Sequence, residues 1–415
     1  MEAVAHTPGP WKPRRGLRFD LPLCLGVLIL VGIGLVLIYS SSGAYAEARH
    51  WEASHFLRQH IKKVIIGFFA FILGLVVPYK TWEKWARPLA IISLVLLVFL
   101  VGTGMAGRVH GARRWIQFVG FGLQPSELAK IGLVFYLAKR LTEKKSELHL
   151  FRKGMLASLP LAIIGFLLIL MQPNYSSAAT VLCITVAMVF VAGCRTSHLM
   201  SLGAIALPAM LGLMFSSPYR MKRVMAFLHP TDHVSSSYQS LQALISLGHG
   251  GFFGTGLGSS TQKLGFLPMP FTDTVFAILG EELGFIGTTV VLLLFAVIVW
   301  RGLRVAYRCS DRFGSLVATG LTVAVAVNVF MHVGVCVKLF PTTGQPLPFI
   351  SYGGTSLIAS LFGMGVLLNI SGSISLSSAS EPKVARTPVW GKISPSGAQS
   401  RFARVHPPVI QGGEA

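Results

Sequence analysis

The chain alternates between apolar runs and short polar segments. Ten apolar runs occupy residues 21–41, 64–78, 88–104, 127–141, 155–171, 178–193, 199–215, 275–300, 316–339 and 355–370. The longest match the ~20 residues that a helix needs to cross a hydrocarbon core. The pattern predicts an all-α polytopic membrane protein of about ten transmembrane helices. The fourth run is the odd one, because it carries Glu127, Lys130, Lys139 and Arg140. The first follows a basic head with Lys12, Arg14, Arg15 and Arg18. That arrangement resembles a signal peptide, but the run is long and lacks a small-residue cleavage site, so it reads as an uncleaved span.

Orientation follows from the polar segments. With the N-terminus inside, alternate segments collect Lys80/Lys84/Arg87, Lys139/Arg140/Lys144/Lys145/Arg152/Lys153, Arg195, and Arg301/Arg304/Arg308/Arg312. The positive-inside rule then places both termini in the cytoplasm and requires an even number of spans. Three divisions follow: a basic N-terminus at 1–20, a membrane domain at 21–371, and a polar, Ser/Pro-rich basic tail at 372–415 that reads as disordered. Two outer segments are too long for turns, 105–125 and the large loop at 217–272. No internal repeat is evident, which weakens an inverted-repeat transporter reading.

Composition agrees with this pattern. Hydrophobic residues make up 53% and charged residues 12%, against about 25% charged in soluble domains. The net charge of +21 sits between apolar runs, with no basic helix interleaved with aromatics, so nucleic acid is not an expected partner. The five cysteines (Cys24, Cys183, Cys194, Cys309 and Cys336) include no CxxC pair, and they read as small hydrophobes rather than disulfides or zinc ligands.

Acidic residues are scarce, so each one at the membrane is informative. Asp273 stands where the large outer loop ends and the eighth run begins, in LPMPFTDTVF at 267–276. Proline and aromatic neighbours would dehydrate its carboxylate and suit it to act as a base. An N-cap for the following helix is the competing role, and both can hold. Glu127 and Lys130 share one helix face in QPSELAK at 124–130, as a structural ion pair or as functional groups. Arg113 and Arg114 precede Trp115 on the outer side, and Arg220, Lys222 and Arg223 open the large loop. Outer cations run against the topogenic trend; they suit either the phosphates of a ligand or anionic lipid headgroups. Lys263 lies ten residues before Asp273. The Gly-rich stretch at 248–258 lacks the GK[ST] of a P-loop and reads as a tight re-entrant or surface loop. No metal-ligand motif appears.

In order along the chain, these stretches resemble the SEDS family of peptidoglycan glycosyltransferases. The matching stretches are YSS at 39–41, RW at 114–115 with QPSELAK, PYRMKR at 218–223, and YQ at 238–239 with the glycines to 258. TD at 272–273 with GEELG at 280–284, and PFISYGG at 348–354, complete the set. The resemblance implies a ten-span enzyme of the bacterial inner membrane that polymerises lipid II. It implies Asp273 as catalytic residue and Arg114, Glu127, Lys130, Arg220, Arg223 and Lys263 as substrate-binding residues. The GEELG form and the PYRMKR loop lean to the division type, at the septum; PTTG at 341–344 is closer to the elongation type. A class B penicillin-binding protein transpeptidase and other divisome membrane proteins are the implied partners. A magnesium or manganese ion would help neutralise the leaving pyrophosphate, though the sequence shows no ligand set for one. Two acids of the family pattern are absent, with Asn174 and Met269 in their places. A lipid II flippase and a non-catalytic divisome scaffold are the rival readings.

Overall fold

The computed structural model describes residues 19–102, 107–109, 112–118, 121–172, 174–215, 218–229 and 234–377. Most of the basic head and all of the tail beyond 377 lie outside the described residues. Twelve helices are described: α1 (Leu21–Glu47), α2 (His55–Val76), α3 (Tyr79–Gly102), α4 (Pro125–Glu143), α5 (Pro160–Met171), α6 (Tyr175–Val191), α7 (Thr196–Phe215), α8 (Pro218–Leu228), α9 (Val234–Gly250), α10 (Val275–Arg308), α11 (Arg312–Cys336) and α12 (Gly354–Ser377). Each of the ten apolar runs falls largely within one of them. By length and composition, α1, α2, α3, α10, α11 and α12 are fit to cross a membrane, and α5 and α6 are shorter apolar helices. The chain is thus a multi-pass membrane protein. The two extra helices, α8 and α9, lie within the large loop.

The all-α expectation needs one correction. Between α3 and α4 the chain forms a small antiparallel sheet of β1 (Gly107–Val109), β2 (Ala112–Phe118) and β3 (Phe121–Leu123), in the order β1-β2-β3. β2 holds Trp115, Ile116 and Phe118, residue types that favour strands, and only two residues separate it from β3, so pairing is local. Arg113 and Arg114 lie on β2.

The least apolar of the ten runs forms the centre of the bundle. α4 packs against α3, α5, α6, α11 and α12, and most of its side chains are buried. Protein rather than lipid surrounds it, which is why it tolerates charge. By contrast α2 buries only His60, Gly67, Phe71 and Gly74, along the seam where it meets α12. A Cβ on Gly365 would come within 2.1 Å of the Phe71 carbonyl oxygen, so this close approach requires glycine.

At one end, Asp20 caps α1 by accepting the Leu23 amide at 3.1 Å. The same carboxylate takes Arg301 of α10 through contacts of 2.6–3.0 Å. The start of α1 and the far end of α10 therefore share one side of the bundle. α10 is broken at Gly284, and its longer part, residues 285–308, is ~36 Å long, enough to cross the ~30 Å hydrocarbon core.

Candidate active site

Asp273 stands in the turn before α10, but it is not the cap. Thr274 occupies the N-cap position and makes no side-chain cap hydrogen bond. The Asp273 carboxylate instead accepts the Thr272 hydroxyl on Oδ1 at 3.0 Å. No Lys or Arg among the described residues forms an ion pair with it. It is partly exposed.

The segment before it is anchored by aromatics. Phe271 is buried and meets the rings of Tyr45, Phe56 and Tyr352 at 5.4, 4.7 and 5.5 Å. Its carbonyl accepts the Tyr352 amide at 2.9 Å. The Tyr352 hydroxyl donates to Gln59 Oε1 at 2.7 Å, and burial pushes its pKa up to about 12. Lys63 lies 3.6 Å over the same ring, and the ring of His60, fully buried, is 5.7 Å away. The PFISYGG and TD motifs, about 80 residues apart in sequence, thus form one wall built on the ends of α1 and α2. In this wall Phe349 takes a left-handed φ of 67° while buried, a strained backbone that its packing must hold.

A second loop reaches Asp273 from the other side. Gly344 (φ 71°) lies so near that a Cβ there would sit 3.9 Å from Asp273 Oδ2. The Thr342 carbonyl in the same loop accepts Arg223 Nη1 at 2.9 Å. Asp273 and Arg223 therefore converge on residues 341–344. Arg220 lies on α8 and Arg114 on β2, but their side chains, with those of Arg113 and Lys222, lie outside the described residues.

Lys263 is engaged elsewhere. Its ammonium meets Glu282 Oε1 at 3.1 Å, Ser40 Oγ at 3.3 Å and the Gly258 carbonyl at 2.6 Å. Glu282 is fully buried. The neighbouring Glu281 is equally buried and takes donors from Ser246, Ser260, Thr261 and His249 at 2.5–3.1 Å. The two glutamates fasten the large loop onto α10.

Backbone completes the attachment. Gly284 breaks α10 with φ 68° and ψ −166°. The freed Glu281 and Glu282 carbonyls accept the Thr255 and Gly256 amides, while the Phe285 and Ile286 amides donate to Gly251 and Phe252. A Cβ on Gly254 would come within 2.2 Å of the Glu282 carbonyl oxygen. The Gly-rich stretch is a backbone plug in a broken helix, and its glycines serve close approach rather than a phosphate.

Glu127 and Lys130 pair at 2.8 Å and are 3% and 5% exposed. They face a cavity of about 30 Å³ shared with Asn328 and Ser360, room for about one water. Asn174, in the place of an expected acid, caps α6 through the Ser177 amide and donates to Ser126 Oγ at 3.2 Å. Met269 adopts a left-handed φ of 46°. Among the described residues no group of three or more His, Cys, Asp and Glu comes together. Among the described residues, a lone partly exposed carboxylate does not make a divalent-ion donor set.

Sequence reasoning passed over His60 and Lys63, and it read PTTG at 341–344 only as a mark of family type, not as part of the site. Lys63 carried a usable signal, since the hydropathy pattern puts this cation on the same side as Arg114. The loop carried none: Gln345 receives His332 Nδ1 on its backbone carbonyl at 2.8 Å and donates to Ser177 at 2.9 Å, contacts between distant segments.

Comparison with known proteins fits this geometry. Residues 21–375 match the FtsW/RodA/SpoVE family, described as cell cycle protein. Stage V sporulation protein E of Bacillus subtilis is 41% identical over 85% of this chain and 96% of its own. A probable peptidoglycan glycosyltransferase FtsW from Trichlorobacter lovleyi is 39% identical over 88% and 96%. A solved structure described as a peptidoglycan synthase complex coordinating polymerization and crosslinking superposes with a TM-score of 0.71, at 27% identity over 86% of this chain and 99% of that one. The rod shape determining protein RodA of Thermus thermophilus gives 0.63, at 26% identity over 86% and 97%. With its TD and PFISYGG segments meeting through Phe271 and Tyr352, and with matches along nearly the whole membrane part, the chain belongs to the FtsW/RodA/SpoVE family, the SEDS proteins.

Proposed function

We propose that this chain is a peptidoglycan glycosyltransferase that polymerises lipid II during bacterial cell division. The observation that carries the reading is the setting of Asp273. Its carboxylate is held by one hydroxyl, walled by Phe271 and Tyr352, and faces the loop that Arg223 also reaches. In the reaction the 4-hydroxyl of an acceptor sugar attacks the anomeric carbon of the donor. Asp273 takes the hydroxyl proton as general base, the bond from the anomeric carbon to the phosphate oxygen breaks, and undecaprenyl pyrophosphate leaves. Arg223, with Arg114 and Arg220, steadies the pyrophosphate charge. The Glu127–Lys130 pair supports the bundle behind the site. Lys263, spent on Glu282, acts by holding the loop rather than by touching substrate.

The chain then has ten spans with both termini in the cytoplasm of the inner membrane, the division septum as its location, and 21–371 as its membrane domain. The large loop and Asp273 face outward, where lipid-linked substrate is consumed. The FtsW names among its relatives favour division over elongation. The rival flippase needs polar groups through the midplane. Glu281 is hydrogen-bonded by the loop and Glu282 is paired with Lys263, and the Glu127–Lys130 cavity is far too small for a disaccharide headgroup.

A class B penicillin-binding protein is the proposed partner, in line with the crosslinking named for the similar complex. Its proposed contact is the plugged loop, where Phe252 and Phe253 are 71% and 84% exposed. Other divisome membrane proteins would assemble around this pair. The test is a lipid II polymerisation assay on the purified chain, with and without a partner transpeptidase. Glycan strands from lipid II support the assignment; lipid II transport without strands would replace it.

A further inference from the structure

The bundle carries a second concave site remote in sequence from Asp273. The π-helical turn Phe151–Leu156 and helices α5, α6 and α7 enclose an apolar groove of about 330 Å³. Phe151, Met155, Leu159, Phe166, Val181 and Ala209 are among its walls. The Thr185 hydroxyl on the same wall is spent on the Val181 carbonyl at 2.7 Å, so the groove offers no hydrogen bond. Along the start of α5 the lining runs from Leu159 to Leu167, a span of ~12 Å. That is close to the ~15 Å depth of one leaflet of a bilayer.

One end of this groove is basic. Arg152 and Lys153 lie on the turn that supplies Phe151 and Met155, and Arg195 directly precedes α7; all three are exposed. None of them forms an ion pair among the described residues, and the nearby Glu147 is taken by Lys144 at 2.8 Å. A slot without polar partners, closed at one end by unpaired cations, matches a molecule with an apolar tail and an anionic head.

We infer that this groove binds one acyl chain of an anionic phospholipid, with the phosphate against Arg152 and Lys153. On the topology proposed above, the lipid belongs to the inner leaflet. The binding itself is measurable whichever way the chain is oriented and whether or not it polymerises lipid II.

The test uses the detergent-purified full chain, stripped of lipid and titrated with phosphatidylglycerol or phosphatidylcholine of identical acyl chains. Retained lipid is read by native mass spectrometry. The wild-type chain retains phosphatidylglycerol preferentially. The double variant Arg152→Gln, Lys153→Gln loses that preference by about 25-fold, at about fivefold per cation. Ala209→Phe, at an exposed position on the groove wall, weakens retention of both lipids, so each variant reads the site independently. Equal retention of the two lipids by the wild type overturns the inference, as does unchanged retention in both variants. Displacement of phosphatidylglycerol by equimolar undecaprenyl phosphate also overturns it, by assigning the groove to the polyprenyl carrier.

Discussion

Lys263 and Glu282 form an ion pair at 3.1 Å whose carboxylate is completely buried. Lys263 lies twelve residues before Val275, the first residue of α10, and Glu282 seven after it, so the pair joins the segment after the Gly-rich loop to α10. It therefore governs how firmly the Asp273 turn is based. Lys263→Met leaves Glu282 unpaired, a loss of about 3–5 kcal/mol for a broken buried pair. Thermal melting in detergent should show a clear fall in midpoint. The double replacement Lys263→Met, Glu282→Met should melt higher than the single Lys263→Met. A single variant as stable as wild type would mean that the pair holds nothing.

Asp273→Asn is the sharpest test of the chemistry. Asparagine keeps an oxygen to accept the Thr272 hydroxyl and has nearly the same shape, so folding and membrane insertion should persist. Loss of the base should lower polymerisation about 10²–10⁴-fold. Normal strand synthesis by this variant would remove Asp273 from the mechanism.

The Glu127–Lys130 pair separates structure from function. If it only braces α4, either single apolar replacement should be worse than the double, because each strands a buried charge. The double variant Glu127→Leu, Lys130→Leu should then insert and regain activity. If the charges also act on substrate, the double variant should insert well and remain inactive. Insertion is read from membrane yield and activity from strand synthesis.

Phe252 and Phe253 do not pack back into the protein. Phe252 meets the ring of Phe285 at 5.9 Å, and Phe285 is itself 62% exposed. Such a patch favours a partner or lipid. Replacing Phe252 and Phe253 by Ser should abolish co-purification of the transpeptidase while leaving basal polymerisation near wild type. Unchanged co-purification would show that the partner docks elsewhere.

The apolar runs alone determined that the chain spans a membrane many times, because the length and continuity of a hydrophobic stretch are set by the bilayer and need no knowledge of neighbours. The sequence also marked Asp273 and the Glu127–Lys130 pair, since charges that must be buried stand out against an apolar background. Of the two roles position allowed Asp273, base or N-cap, the cap position is held by Thr274, and Lys263 is paired with buried Glu282.

What only the tertiary structure decided is what those residues meet. Glycines at 250–256 look like any flexible loop until Gly284 breaks α10 and the two backbones exchange hydrogen bonds. Tyr352 gains its place only when α1 and α2 bring Tyr45 and Phe56 to Phe271. The polar α4 becomes the centre only because other helices shield it from lipid. Hydropathy is a property of one segment at a time, whereas pairing a buried charge, filling a helix break and building an aromatic wall each require groups from distant segments. Those distances close only in the folded bundle.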